Sequence, residues 1–392
     1  MAVWSARRSQ SRKPAPDGRA SAPVPLTGTH AAELTPSVPM KGPVPATGNW
    51  LLRGKDGRLT AYAPLDGGVL RWTEKNVGGP EWTGPDLLPA PGLVPYLSIV
   101  QSPEGYVFLT GLRRLPGGPD QVDVSVVYAV QYQTGRPLRD WYALNTPYTS
   151  QETRHLAADL GLPSALVDPE GSMHMFVRNA GRGVSGRSQE KTGRWKGWGD
   201  IKGSQVSGTV AVTVNDAGLA EVSAPCADHV LRWSQKEPGW RMPRAEDLTG
   251  VAVADGTYAA TRTGRESVTR FWRDAGTGEV AAWRPGGPPR TLGGAEGTGT
   301  IALLRTPVDG VDCTLLAQRD ASGRPSLAAY PTESEDAGLV WSPTGEVCAG
   351  APAMALDGLG RVVLAAIGED GALRVTRQKE ESGLALEAWT RA

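Results

Sequence analysis

A degraded repeat runs through this sequence and limits its folds more than any other feature. Each copy has a short apolar run, a turn carrying an acidic or polar residue and a glycine, a second apolar run and then a tryptophan. The turns fall at residues 53–59, 100–107, 166–171, 214–219, 306–310 and 356–360. Gly57 and Gly105 stand 48 residues apart, Gly171 and Gly218 47 apart, and Gly310 and Gly358 48 apart. A period of roughly 40–50 residues holding several short strands marks a β-propeller, in which each sheet covers its faces only by stacking on neighbours. Shared among seven units, residues 49–392 give about 49 residues each; six units would need about 57, which is long. The sequence therefore predicts an all-β fold, a seven-bladed β-propeller of four-stranded antiparallel blades.

The first 48 residues differ from the rest. They hold eight prolines, six Lys or Arg and two Asp or Glu, with few large apolar side chains. Such a segment buries too little surface to offset its ordering entropy. The expected organisation is a disordered, Pro-rich basic tail at 1–48 and a propeller domain at 49–392.

The first unit shows the strand plan best. An apolar run from Trp50 leads to the Asp56-Gly57 turn, a second run ends at Ala63, and Asp66-Gly67-Gly68 turns into Val69-Leu-Arg-Trp-Thr73. Turn signals every eight to twelve residues between β-rich runs fit a four-stranded meander. The fourth unit repeats this plan, and residues 69–74 match residues 230–235, both carrying Leu-Arg-Trp. Between Gly105 and Gly171 the period is stretched. Thr149 and Glu152 there form a capping box, and Gly161 with Pro163 supplies a stop, predicting a short helix at 150–160 packed between units two and three. In the fifth unit residues 254–257 are the candidate turn, with Phe271, Trp272 and Trp283 on later strands.

Lys+Arg and Asp+Glu are both 41, a neutral balance that argues against a broad nucleic-acid footprint, which needs a basic face. Cys226, Cys313 and Cys348 are odd in number with no metal-type spacing, which fits buried thiols in a reducing compartment. No apolar stretch reaches the ~18 residues of a membrane span, and no apolar core follows the basic residues of the start. The expected location is the cytoplasm, or outside by a route without a cleaved signal. His30, His155, His174 and His229 have no mutual metal-site spacing, so no metal is expected. Gly181, Gly183 and Gly186 fit a dinucleotide fingerprint in letters only, because no helix pattern follows; a hairpin loop and no cofactor are expected. No G-x-S-x-G elbow is present. Asp123, Asp168, Asp216, Asp312 and Asp357 could pair across blades for glycoside chemistry, although turn geometry explains their recurrence better.

Thirteen Trp stand against three Phe, and the Trp recur with the repeat. Most should fill wedges between neighbouring sheets. Trp82, Trp198 and Trp240 precede polar segments and are the candidates for half-exposed indoles that stack on a sugar ring. Arg71 and Arg232 face away from their neighbouring Leu and Trp on a strand. They either lie on a solvated blade face or line pockets between blades, where a guanidinium takes sugar hydroxyls.

Taken together, residues 49–392 resemble the bacterial seven-bladed propeller lectins of the PLL type, and more loosely tectonin repeats. The resemblance rests on the Trp-rich strands and the Leu-Arg-Trp triplets. It implies sugar sites between consecutive blades and a non-catalytic carbohydrate-binding function. Two alternatives stay open on the residues alone: a scaffold presenting rim loops to protein partners, and a hydrolase of glycans or lactones. The ring must also close, so the segment near Trp50 and the run from Leu384 to Thr390 are expected in the same or adjacent blades.

Overall fold

The computed structural model describes residues 24–25, 49–118, 121–239, 241–265, 267–294 and 296–392. Seven antiparallel sheets follow one another in chain order, each with its strands in sequence from the axis outward. Blade 1 comprises Leu51–Arg53, Leu59–Leu65, Gly68–Glu74 and Trp82–Pro89. Blade 2 comprises Ser98–Gln101, Val107–Gly118, Gln121–Gln131 and Tyr142–Ala143. Blade 3 comprises Ser164–Val167, Met173–Arg178, Val184–Ser188 and Gly199–Lys202. Blade 4 comprises Ala211–Val214, Ala220–Pro225, His229–Ser234 and Leu248–Thr249. Blade 5 comprises Ala259–Arg262, Val268–Arg273, Val280–Trp283 and Arg290–Gly293. Blade 6 comprises Gly297–Val308, Val311–Asp320, Pro325–Pro331 and Ser342–Pro343. Blade 7 comprises Ala353–Leu356, Val362–Ile367, Leu373–Arg377 and Thr390–Arg391. The chain is a seven-bladed β-propeller.

Val24–Pro25 adds a short fifth strand to blade 2, pairing with Tyr142–Ala143. The rest of the expected tail at 1–48 lies outside the described residues. First strands of neighbouring blades touch and so ring the axis, those of blades 1 and 2 through Gln101 Nε2, which donates to Arg53 O at 2.9 Å. By the antiparallel order, the turns between first and second strands and the loops between third and fourth strands emerge at one end of the ring. The connections between blades emerge at the other.

The first hairpin turn shows why the repeat was visible. In blades 1 to 4 its glycine (Gly57, Gly105, Gly171, Gly218) has φ between 79° and 83°, which favours glycine. Each glycine N–H donates to the carbonyl three residues back, a tight turn closed by a left-handed residue. In blade 7 this place belongs to Gly360 (φ 84°), not Gly358, and Gly310 sits in a two-residue Asp309-Gly310 turn of another build. The 48-residue spacing of Gly310 and Gly358 thus joins unlike turns. In blade 5, residues 254–257 belong to the connection from blade 4, and the first hairpin closes with Arg262 paired to Val268.

The core lies in the seams between blades and not in one centre. One cluster joins blades 7, 1 and 2 around Trp50, Trp72 and Val363, and further clusters fill the remaining seams. Of the eleven described tryptophans seven are buried, so wedge filling is their main role. Each buried aromatic removes roughly 150–250 Å² from water, worth about 4–6 kcal/mol at 25 cal/mol per Å². Several indoles reach back to the preceding blade, whereas Trp283 Nε1 donates to Gly287 O within its own blade. Trp50 Nε1 donates to Ala351 O, Trp195 to Tyr128 Oη, Trp233 to Ile201 O and Trp389 to Thr344 Oγ1.

The end of the third strand carries a second repeat in blades 1, 3, 4 and 7. Glu74, Gln189, Gln235 and Gln378 each accept, through a side-chain oxygen, the N–H that starts the second strand of the same blade. The expected helix at 150–160 is instead a 3₁₀ turn at Arg154–Asp159, and Thr153 at its start makes no side-chain cap. Its buried face is Ala157 with Leu160, an i,i+3 pair that a three-residue turn aligns. It does pack over the seam of blades 2 and 3, as its position implied.

Candidate ligand site between blades 1 and 2

The turn after the first strand places Lys55, Asp56 and Arg58 at the rim of blade 1, and the same turn in blade 2 places Glu104 and Tyr106 beside them. The loop from Tyr132 to Arg139, between the last two strands of blade 2, rises at this same end. Its Thr134 hydroxyl donates to Asp56 Oδ1 at 2.8 Å, tying the two blades together. A Cβ on Gly54 would sit 1.8 Å from Thr134 Oγ1, so the approach depends on glycine there. Deeper in the seam, Tyr62 Oη donates to Gln131 Oε1 at 2.5 Å, and Gln131 Nε2 donates to Gln133 O at 2.9 Å.

Two adjoining cavities open along this seam, sharing Arg58, Thr134 and Arg136. The first, about 510 Å³, is lined among others by Lys55, Asp56, Glu104, Tyr106, Tyr132 and Gln133. The second, about 370 Å³, reaches Arg71, Thr73, Thr83 and Asp86. Tyr106 and Tyr132 meet edge to face with centroids 4.9 Å apart. Tyr132 is 47% exposed, so its ring is offered to solvent, with the Arg139 guanidinium 5.8 Å from its centroid.

Burial alone would raise the Asp56 carboxyl, but hydrogen bonds from Arg58 and Thr134 outweigh it and hold it below the usual carboxylate range. Arg58 Nε lies 2.7 Å from Asp56 Oδ2, and Arg71 Nη2 lies 2.7 Å from Asp86 Oδ2. Arg71 Nη1 donates to Arg136 O at 2.7 Å, crossing from blade 1 to blade 2. The arrangement offers an aromatic ring beside oriented donors and acceptors.

The residues expected to bind a ligand scatter. Arg71 does line an inter-blade cavity. At 6% exposure it is no solvated face, because each blade is covered on both sides. Arg232, 5% exposed, is also enclosed: its guanidinium stacks 4.6 Å from the Trp283 ring in the next blade and donates to Glu246 O at 2.9 Å. Burial, reinforced by the neighbouring charge of Arg270, pushes Arg232 down to about 10. Trp82 is 9% exposed and belongs to the core of blades 7, 1 and 2. Trp198 is half-buried and donates through Nε1 to Leu144 O at 3.1 Å. Trp240 lies outside the described residues. Sequence reasoning missed Tyr106 and Tyr132. The available signal was their position, directly after a turn glycine and directly after the Gln131 strand end.

A third cavity of about 350 Å³ lies between blades 5 and 6, lined by Trp283, Arg284, Arg290, Glu333, Glu335 and Asp336 among others. The axial cavity, about 440 Å³, opens at the opposite end among first strands, and Asp255 is the only carboxylate in its lining. The facing pair that a hydrolase would place there is absent from that lining. The recurrent carboxylates are occupied elsewhere. Asp168 and Asp357 accept backbone N–H groups within their own turns, Asp216 pairs with Arg262, and Asp312 pairs with Arg305. Asp123 lies 3.7 Å from Arg154. Gly181 and Gly183 lie in the hairpin turn between the second and third strands of blade 3. The three cysteines are free and buried. Among the described residues no helix is long and apolar enough to cross a membrane, and no group of three or more His, Cys, Asp or Glu could hold a metal ion.

No family model matches this chain, and no curated protein matches it. Its shape is similar to solved propellers. A triple arginine-to-alanine variant of AofleA from Arthrobotrys oligospora aligns with a TM-score of 0.51 and 10% identity, over 77% of this chain and 86% of that one. The likeness is one of fold. The SapL1 lectin, solved with alpha methyl fucoside, gives a TM-score of 0.48 and 16% identity over 78% of this chain and 97% of that one. A Dyadobacter fermentans protein of unknown function gives 0.47 and 14% over 74% and 92%. Lectins are thus among the structures similar to this chain, and at these values they carry no weight beyond the fold.

Proposed function

We propose that the protein is a non-catalytic, carbohydrate-binding propeller whose sugar site is the seam of blades 1 and 2. The observation that carries this reading is the exposed Tyr132 ring, braced by Tyr106, at the edge of a groove of about 510 Å³ lined by Asp56, Arg58, Gln133 and Thr134. An aromatic face takes the apolar side of a pyranose, and paired Asp and Arg take its vicinal hydroxyls in fixed directions. This site uses tyrosine where the repeat had pointed to tryptophan, and one seam where it had pointed to many. The test is a glycan array probed with the full chain and with Tyr132→Ala. Binding by the full chain that the variant loses supports the reading; an array blank for the full chain contradicts it.

A second reading, an interaction scaffold, is favoured by a different place. Val77 and Leu359 are 41% and 64% exposed and flank Gly78 and Gly358 on the seam of blades 7 and 1. Two exposed aliphatic side chains meeting at a rim suit a protein contact. A glycan-binding chain whose Val77→Ser, Leu359→Ser variant loses a native partner would combine both readings. Three free, buried thiols fit a reducing compartment, and the cytoplasm is the location we propose.

A further inference from the structure

We infer that the saccharide held at the seam of blades 1 and 2 is anionic, carrying a carboxylate or sulfate; this rests on the carbohydrate reading above. The joined cavities are lined by four cations, Lys55, Arg58, Arg71 and Arg136, and three carboxylates, Asp56, Asp86 and Glu104. Two cations are already committed, Arg58 to Asp56 and Arg71 to Asp86, each at 2.7 Å. Among the described residues neither Lys55 nor Arg136 has a carboxylate within ion-pair distance. The Lys55 stem lies over Gly105, where a Cβ would meet its Cγ at 2.8 Å, and the residue is exposed at the mouth of the groove. Glu104 places its carboxylate over Gly171 of blade 3, 3.4 Å from where a Cβ would stand, and its carboxyl is held below the usual range first by the Ser102 hydroxyl and last by the charge of Lys55. The Arg136 carbonyl is fixed by Arg71, which sets the place from which the Arg136 side chain leaves.

The groove therefore keeps one positive charge in excess, next to the exposed Tyr132 ring. A neutral sugar would leave that charge unused. A ring bearing an oxyanion would stack on Tyr132 and turn its anionic group toward Lys55 and Arg136, where a concave wall screens the pair less than open solvent does.

The experiment uses an array on which each neutral glycan stands beside its uronate or sulfated counterpart, followed by calorimetry on the best ligand at several salt concentrations. Anionic members should bind and their neutral counterparts should not, with affinity falling as salt rises. Lys55→Gln and Arg136→Gln should each weaken binding about five-fold, the order of a partly screened ion pair, and flatten the salt dependence. Both positions are exposed, so unfolding is not a competing explanation, and unchanged melting temperatures check this. Neutral glycans bound as well as anionic ones would overturn the inference and leave the carbohydrate reading standing. A blank array would remove both. Anionic binding untouched by either substitution, or fully displaced by inorganic sulfate alone, would also overturn it.

Discussion

Arg377 Nη2 lies 2.9 Å from Glu74 Oε1, and this buried pair ties the last blade to the first. No strand is shared across that seam, because blades 1 and 7 are each contiguous in the chain. Closure comes from side chains: Trp50 to Ala351 O, Arg53 to Asp357 O, Arg361 to Gly78 O, and the apolar cluster around Trp72. The segment near Trp50 and the run Leu384–Thr390 lie in adjacent blades, 1 and 7, as expected, while Trp389 of that run reaches Thr344 in blade 6.

Breaking the pair should be costly. Arg377→Met leaves Glu74 and Asp357 buried without their shared cation, and removing one partner of a buried pair costs about 3–5 kcal/mol. Burial is the main influence on Glu74 and raises its carboxyl above the usual 4.5, against the hydrogen bonds from Leu59 and Arg377. The folded state then holds this proton more tightly than the unfolded chain. Its contribution is fully present below about pH 4.5 and is lost as pH rises through the raised value. Denaturant melts from pH 4 to pH 8 should show that loss in the native chain and not in Glu74→Gln.

The C-terminal run completes blade 7 and seals the neighbouring seam, that of blades 6 and 7. Thr390–Arg391 forms the outer strand of blade 7, Trp389 donates to Thr344 Oγ1, and Leu384 and Leu386 cover the core of blades 6 and 7. Deleting residues 384–392 should lower the melting temperature by at least several degrees and broaden the transition, read by calorimetry. An unchanged melt would mean that these contacts hold nothing together.

The backward reach of the indoles gives a graded prediction. Trp233 Nε1 donates to Ile201 O at 2.8 Å from a fully packed ring. Trp233→Phe keeps most of the packing and should cost about 1–2 kcal/mol, chiefly the lost hydrogen bond. Trp233→Ala opens a cavity and should cost about 3–5 kcal/mol. Equal losses in urea melts would contradict the assignment.

The fold was readable because its turns are local. Gly57, Gly105, Gly171 and Gly218 need a left-handed backbone whatever surrounds them, so each left a mark at a fixed spacing. Gly310 and Gly358 misled because two turns of different build can share a letter and a distance. The 3₁₀ turn at Arg154–Asp159 is shorter than the helix its flanking residues predict, because the expected capping hydrogen bond does not form at its start, where Thr153 makes no side-chain cap. The site was harder to read. Whether Arg71 meets solvent or a cavity is decided by a loop some 65 residues away, through Arg136. Tyr106 and Tyr132 come together only once two hairpins rise at the same end. Nothing within either hairpin announces the other.

Glycine at position 54 should matter to the site more than to the fold. Gly54→Ala drives a methyl into Thr134 and pushes away the loop that carries Tyr132, so glycan affinity should fall about ten-fold or more. Gly197→Ala, whose added methyl meets nothing within 4 Å, should leave affinity unchanged. Calorimetric titration of both variants with the same glycan separates the two outcomes.

The most direct measurement is a crystal structure of the protein soaked with the best array ligand. The predicted result is one saccharide per chain at the seam of blades 1 and 2, its ring on Tyr132 and its polar groups toward Arg58, Thr134 and Arg136. A saccharide bound on the axis, at another seam, or equally at all seven seams would contradict the account.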